Sequence, residues 1–178
     1  ARAPADGYTM GLGQLGNLGI APGIYPKLAY DPLKDIVPVT QVLSAALLLV
    51  CNPSLPVRST RELMALARAK PGQMNYANPG NGTSTHIVTE MFLLDAGIKL
   101  VNIPYKGVVA SLTDLVGGQV QMYCAGFSAM TPQVKAGKVR ALGAATLKRT
   151  ELFPELPTII EQGLPDFEVS SWIGLNVP

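Results

Sequence analysis

At 178 residues the chain can form one domain or two small lobes with a sizeable core. Hydrophobic residues make up 48% and charged residues 15%, too apolar for a disordered tail, while the longest apolar run, Ala45 to Cys51, falls far short of the about 20 residues of a membrane-spanning helix. Lys and Arg number 14 against 12 Asp and Glu, a balance that gives nucleic acid no electrostatic hold.

Gly and Pro punctuate the whole length, which suits many short elements joined by turns. Cys51 and Cys124 make neither a disulfide framework nor a metal-ligand spacing. His86 is the only histidine, so a histidine-rich metal site is excluded, and no cofactor is expected. The chain opens Ala1-Arg2-Ala3-Pro4, without initiator Met or signal peptide, and is expected to begin in mid-protein.

In chain order, Tyr8 to Gly13 alternates weakly and reads as a short strand, and Gly11, Gly13, Gly16 and Gly19 suit a loop of small residues. Ile36 to Leu43 and Ala46 to Cys51 read as two strands divided by Ser44, the second stopped by Pro53 and Pro56. Ser59 and Glu62 form a capping box ahead of a helix with Leu63, Leu66 and Ala67 on one face, ended by Pro71-Gly72. A strand at Gln73 to Ala77 and a loop at Asn78 to Ser84 follow. Thr85 to Ala96 then reads as a helix with Ile87, Met91 and Leu94 on one face and Gly97 as a left-handed stop. The order continues with a strand at Ile98 to Ile103, a turn at Pro104 to Gly107, a helix at Ala110 to Val116 and a strand at Val120 to Cys124. A helix at Ser128 to Ala136 tolerates Pro132 only in its first turn, and a strand spans Val139 to Thr146. A short helix after Pro157 and a long strand from Phe167 to Val177 complete the chain.

From Gln73 to Thr146 strands and helices alternate, the pattern of a parallel sheet with right-handed crossovers and helices on both faces. Ligands bind such sheets at the carboxyl ends of the strands, where Asn78 to Ser84, Pro104 to Gly107 and Ala125 to Ser128 fall. In the first loop, glycines allow close backbone approach. Thr83, Ser84 and Thr85 put hydroxyls and N–H groups at a helix start, where partial positive charge suits a carboxylate or phosphate. The plainer alternative is that Thr83 or Ser84 only caps the helix. The loop is neither a Walker A motif nor a dinucleotide fingerprint.

His86 can pair with Glu90 four residues on or contact a ligand. Lys106 can hold an anion or be a solvated turn lysine, and Tyr105 can lie on a ligand or pack at the sheet edge. Cys124 reads as a structural thiol unless Lys106 or His86 lies close enough to activate it. Cys51 and Cys124, if on antiparallel strands, are expected at opposite ends and unbonded.

Longer motifs carry a resemblance: Ala5-Asp6-Gly7-Tyr8-Thr9, Tyr25-Pro26-Lys27-Leu28, Tyr30-Asp31-Pro32-Leu33-Lys34-Asp35, Pro38-Val39-Thr40 and Gly80-Asn81-Gly82-Thr83-Ser84-Thr85-His86. Val101-Asn102-Ile103-Pro104-Tyr105-Lys106-Gly107, Leu115-Val116-Gly117-Gly118-Gln119-Val120, Ala136-Gly137-Lys138-Val139-Arg140-Ala141-Leu142 and Ser170-Ser171-Trp172 continue it. The chain resembles, end to end and in order, the solute-binding component of tripartite tricarboxylate transporters, the Bug or TctC family. The resemblance implies an α/β fold of the periplasmic binding protein type II kind, with one complete parallel-sheet lobe, hinge strands and remnants of the other lobe. Residues 1–41 and 171–178 would be the lobe-one remnant and 42–170 lobe two. It also implies a periplasmic, non-enzymatic protein that holds a small carboxylate between lobes and docks on membrane transporter subunits, with no nucleic acid partner.

The ligand contacts implied are Asn81, Gly82, Thr83, Ser84, Thr85, His86, Tyr105, Lys106, Cys124 and Ala125, with Gln14 and Asn17 as the polar residues at the lobe-one rim. Two departures stand out. Family members are longer at both ends, and the strand ending at Cys124, which in the family usually leads into a polar residue such as Asp or Asn, here runs on as Cys124-Ala125-Gly126-Phe127, a less polar wall. Lobe-one strands without neighbours are expected to drive self-association. The rival reading is a small α/β hydrolase or acyltransferase using Cys124 or Ser84 with His86, although a third member and a Gly-x-Ser-x-Gly elbow are missing. A partner-interaction module with no small ligand is the other alternative.

Overall fold

The computed structural model describes residues 3–178. Ala1 and Arg2, where the expected lobe-one remnant begins, lie outside the described residues. In chain order come β1 (Gly11–Gln14), a π-helical segment (Leu15–Ile20), α1 (Ala21–Ile24), β2 (Val37–Cys51), α2 (Thr60–Ala69), β3 (Asn75–Asn78) and α3 (Ser84–Asp95). They are followed by β4 (Val101–Pro104), α4 (Val108–Val116), β5 (Met122–Gly126), α5 (Phe127–Lys135), β6 (Arg140–Ala144), a 3-10 turn (Ile160–Gln162) and β7 (Ser170–Val177). The chain divides into two compact units. The larger holds Ala46–Asn81 and Thr85–Ser170; the smaller holds the described residues up to Ala45, Gly82–Ser84 and Ser171–Pro178.

In the larger unit β3 pairs in parallel with β4 and β5. The second half of β2 lies antiparallel between β5 and β6, so those two strands point the same way across it. The strands joined by crossover helices thus share one direction, as the alternation predicts. β2 is the exception, and it can run against the others because no crossover helix connects it to its neighbours.

Alternation along β2 builds two cores. Leu47, Leu49 and Cys51 face one side with Tyr76, Met122 and Cys124, under Leu63 and Met64 of α2 and Val88 and Phe92 of α3. Leu48 and Val50 face the other with Ala77, Tyr123 and Ala125, under Leu115 of α4 and Met130 of α5. Burial on both faces explains why this stretch is an unbroken apolar run. Each large side chain so covered contributes about 1.5–3 kcal/mol.

Local chemistry fixes the helices. Ser59 Oγ accepts the Glu62 N–H at 3.1 Å, so the expected cap is present. The Glu62 carboxylate, however, reaches back to the N–H of Arg58 at 2.6 Å, one residue before the position a capping box requires. Gly97, at φ 61°, stops α3 in the left-handed conformation, and the Arg68 guanidinium of α2 donates to the Ala96 carbonyl at 2.7 Å. Pro132 departs from expectation, sitting sixth in α5, beyond the first turn. Its missing N–H frees the Ser128 carbonyl, and Ser128 is exposed, where water can satisfy it.

Other expectations are corrected. Ile36 to Leu43 and Ala46 to Cys51 are one 15-residue strand. Ser44 does not divide it, because it lies in the exposed half, where its hydroxyl meets solvent without disturbing an extended backbone. Cys51 and Cys124 are not at opposite ends. The register pairs Leu49 with Cys124 and Cys51 with Met122, making the thiols diagonal neighbours on one sheet face, both free and buried. The glycine stretch expected as a loop is largely helical, from Leu15 to Ile24. The remaining elements are present with ends moved by a few residues.

In the smaller unit β7 lies between β1 and the first half of β2. β1 runs antiparallel to β7, from Gly11 opposite Asn176 to Gln14 opposite Ile173. Residues 37 to 44 of β2 are exposed, and beside them lies an apolar groove of about 450 Å³ lined by Leu18, Leu33, Ile36, Val39 and Trp172.

Candidate functional site

In the larger unit the sheet delivers β3 and β4 side by side, and their carboxyl-end loops are tied together. Asn78, buried at the end of β3, accepts the Gly80 N–H on Oδ1 at 3.0 Å and donates from Nδ2 to Asn81 Oδ1 at 2.7 Å. Its carbonyl accepts the Tyr105 N–H at 2.7 Å, and the Pro79 carbonyl accepts the Gly107 N–H at 2.9 Å. One buried asparagine therefore shapes its own loop, while the Pro104–Gly107 turn closes against it. Asn81 is a member of this arrangement and half of its polar capacity serves the turn.

Thr85 and His86 open α3 within this unit. The Thr85 carbonyl accepts the Thr89 hydroxyl at 2.7 Å. His86 is half-buried. Its Nε2 is 3.1 Å from Asn102 Nδ2 and 4.0 Å from Glu90 Oε1, so the expected i,i+4 pairing is at the limit of an ion pair. Glu90 in turn accepts the hydroxyl of Tyr76. Burial, then the neighbouring Glu90 carboxylate, raises the Tyr76 phenol well above its usual value and keeps it a donor. Tyr76 and Asn102 escape sequence reasoning because they lie on different strands. Only the parallel register, which places them directly opposite each other, brings both to His86 and Glu90.

Tyr105 and Lys106 diverge. The Tyr105 ring packs on the second core, and its hydroxyl donates to Asp114 Oδ2 at 2.8 Å. Burial and that carboxylate push the phenol up to about 12. Lys106 is exposed. Cys124 and Ala125 do not lie on a loop surface. Cys124 faces the first core, where burial pushes its thiol up to about 12 against a small opposing effect of the Thr89 hydroxyl, and Ala125 is buried in the second core. The strand places them on opposite faces, and both faces are covered by helices. A thiol so held is a poor nucleophile.

In the smaller unit Gly82, Thr83 and Ser84 pack among residues of its own. A β-carbon on Gly16 would lie 3.8 Å from the Gly82 carbonyl oxygen and 3.9 Å from the Ser84 nitrogen, so the glycine lets two backbones meet. Gly82 adopts φ 80°, with the Tyr25 hydroxyl 3.5 Å from where its β-carbon would be. Ser171 Oγ lies 3.4 Å from Ser84 Oγ. Gln14 and Asn17 act locally: Asn17 Oδ1 accepts the Gln14 N–H at 2.7 Å, and the Asn17 carbonyl accepts the Tyr30 hydroxyl at 2.5 Å. Tyr25 and Ser171 belong to the Tyr25-Pro26-Lys27-Leu28 and Ser170-Ser171-Trp172 motifs, but nothing in the sequence places them at the Gly82 loop.

Among the described residues no group of three or more His, Cys, Asp or Glu could hold a metal ion, and no helix is long and apolar enough to cross a membrane.

The profile of the tripartite tricarboxylate transporter family receptor matches residues 1–178. The chain belongs to this family. Protein BugT of Bordetella pertussis is 35% identical over 179 residues, an alignment that takes in 100% of this chain and 55% of BugT. A UPF0065 protein from the tcbD-tcbE intergenic region of Pseudomonas sp. (strain P51) is also 35% identical, over 100% of this chain and 53% of its own length. The chain thus spans about half the length of the curated relatives it matches. Among solved structures, R. palustris Rpa4515 with adipate is 35% identical with a TM-score of 0.92, over 99% of this chain and 59% of that one. MatC (Rpa3494) from Rhodopseudomonas palustris with bound malate is 32% identical with a TM-score of 0.88, over 99% and 60%. The fold is therefore α/β of the periplasmic binding protein kind, represented here by part of the longer chains.

Proposed function

We propose that this receptor chain forms part of a solute-binding protein that captures a small carboxylate outside the cytoplasm for a tripartite tricarboxylate-type secondary transporter. The observation that carries the reading is the amide- and hydroxyl-rich segment opening α3, in a family with members solved with adipate and with malate. Helix α3 has 12 residues and no acidic residue in its first turn, so its dipole favours an anion there. We assign the ligand contacts to Asn81, Gly82, Thr83, Ser84, Thr85 and His86, with Tyr105, Lys106, Gln14 and Asn17 as a supporting set. Cys124 and Ala125 act behind the loop as core residues. Residues 1–41 and 171–178 belong to lobe one and 42–170 to lobe two. The protein acts in the periplasm, docks on membrane transporter subunits and associates with itself through lobe-one strands.

A small α/β hydrolase is disfavoured by the burial and raised pKa of the Cys124 thiol. The test is calorimetric titration with adipate and malate. A single lobe-two grip on one carboxylate gives dissociation constants near 1 mM, about −4 kcal/mol, and Thr83→Val weakens them further. Silence of every small mono- and dicarboxylate in the millimolar range, or turnover of ester substrates, would overturn the reading.

A further inference from the structure

The parallel strands of the larger unit begin on one edge of their sheet. Cys51, the last residue of β2, pairs there with Met122 and Arg140, the first residues of β5 and β6, and Asn75 pairs with Val101, the first residues of β3 and β4. Backbone hydrogen bonds knit the connections at this edge into one face. The Asn52 N–H donates to the Gln121 carbonyl at 3.0 Å, the Gln121 N–H to the Asn75 carbonyl at 2.9 Å, and the Gly72 N–H to the Lys99 carbonyl at 2.9 Å. Arg140 Nη1 donates to the carbonyls of Leu55 and Val57 at 3.1 and 2.8 Å, which ties in the loop after β2.

Charge is segregated onto this face. The five connections that meet it, residues 52–59, 70–74, 96–100, 117–121 and 136–139, carry Arg58, Lys70, Lys99 and Lys138 and no Asp or Glu. Arg68, Lys135 and Arg140 adjoin them. The nearby carboxylates are Glu62, which accepts the Arg58 N–H, Asp95 at the end of α3, and Asp114, which accepts the Tyr105 hydroxyl. Among the described residues none of the seven bases is in an ion pair, and all except Arg140 are exposed. The segment leaving the carboxyl end of β6 has the opposite balance, with Glu151, Glu155, Glu161, Asp166 and Glu168 against Lys148 and Arg149. A chain with a net charge of only +2 thus gathers uncompensated positive charge on one sheet edge, where the fields of the bases add.

We propose that this face lies against an anionic lipid surface. Arg58 and Arg140 share a hollow, but Glu62 lines it with them, and the other bases are spread over separate connections. That arrangement suits a plane of phosphate charge and not one bound phosphate. A protein partner calls for an aromatic or apolar anchor, and lysine is depleted in such interfaces. The five connections hold no aromatic residue, and lysine outnumbers arginine in them. Each base close to an anionic bilayer raises partitioning about fivefold. Held in this way, the protein stays at the surface in which its proposed transporter subunits lie. The contact does not depend on the carboxylate reading.

Co-sedimentation with lipid vesicles tests the proposal. The protein is expected to bind equimolar phosphatidylglycerol and phosphatidylcholine vesicles at about 50 mM salt, to release them at about 300 mM, and to ignore pure phosphatidylcholine. A Lys70→Glu/Lys99→Glu/Lys138→Glu variant is expected to lose tenfold or more in partitioning. A Lys27→Glu/Lys34→Glu/Lys148→Glu variant, of the same net charge, is expected to lose less than threefold. Thermal melts confirm that both variants are folded. No binding to the anionic vesicles, equal binding to the neutral ones, or equal losses in the two variants would overturn the proposal. So would duplex DNA that binds the wild type as tightly as the vesicles do at equal phosphate, because the face would then recognise any polyanion. Adipate titration of the first variant is read separately, and an unchanged affinity there leaves the lipid contact and the carboxylate site as independent findings.

Discussion

Gly143 runs so close to Thr60 that a β-carbon on it would lie 2.6 Å from the Thr60 hydroxyl oxygen. It would also lie 2.9 Å from Gln162 Nε2. Both neighbours are buried and committed: Thr60 Oγ1 donates to the Leu142 carbonyl at 3.2 Å, Gln162 Nε2 donates to the same carbonyl at 2.8 Å, and Gln162 Oε1 accepts the Thr60 N–H at 2.7 Å. This joins β6, the start of α2 and the 3-10 turn through one carbonyl. Gly143→Ala must displace part of that network and is expected to destabilise the protein by about 1–3 kcal/mol. Urea unfolding checks it, and a midpoint unchanged from wild type would show that the network gives way at no cost.

The buried thiols make stability depend on alkaline pH. Burial pushes Cys51 up to about 11, against the opposing pull of Arg140, and Cys124 up to about 12, from an ordinary 9.0. The unfolded chain loses these protons first, so the contribution from keeping the thiols neutral is full below pH 9. It declines as pH rises toward 11. The urea midpoint is expected to fall more steeply between pH 8.5 and 10.5 in wild type than in a Cys51→Ala/Cys124→Ala variant. Tyrosine ionisation is common to both proteins and cancels in the comparison. Parallel slopes would mean that the thiols reach water in the native state.

What could be read from the sequence follows from where its signals are local. Gly97 and the Ser59 half of the capping box depend on neighbours within a few residues and both stand as read, whereas the Glu62 half is displaced to the N–H of Arg58. The alternation from β3 to β6 is likewise written in turn residues and periodicity, which fixed the common direction of those strands. The failures involve partners distant in sequence. Cys124 and Ala125 look like the rim of a cleft until the sheet is known to carry a helix layer on each face. Tyr76 and Asn102 need the β3–β4 register before they can be placed at His86. Leu15 to Ile20 holds two glycines, so intrinsic propensity favours a loop; propensity is a weak prior, and packing overrides it.

Ser59 isolates the value of one cap. Its Oγ accepts the Glu62 N–H, while the Glu62 carboxylate serves Arg58 independently. Ser59→Ala is therefore expected to cost about 1 kcal/mol and Ser59→Asp to be nearly neutral. Thermal unfolding of the two variants checks the contrast. Equal losses would assign the effect to the serine's surroundings and not to its oxygen.

Self-association is expected to run through β2. Pairing with β5 and β6 falls on residues 47 to 51, which leaves 37 to 44 with β7 as the one partner strand among the described residues. That stretch is exposed along its whole length, with Val37, Val39 and Val42 each more than half accessible. No charged residue occurs from Ile36 to Val57, so the usual device that keeps an open edge from pairing is missing; only Pro38 withholds a donor. A second copy can add its own strand there, burying valines in the same step. Light scattering is expected to show dimers or larger species at micromolar concentration, and Val39→Lys, which puts an ammonium on the edge, to weaken association tenfold or more, about 1.4 kcal/mol. A wild-type protein that stays monomeric at high micromolar concentration, or a lysine variant that associates as before, would move the interface elsewhere.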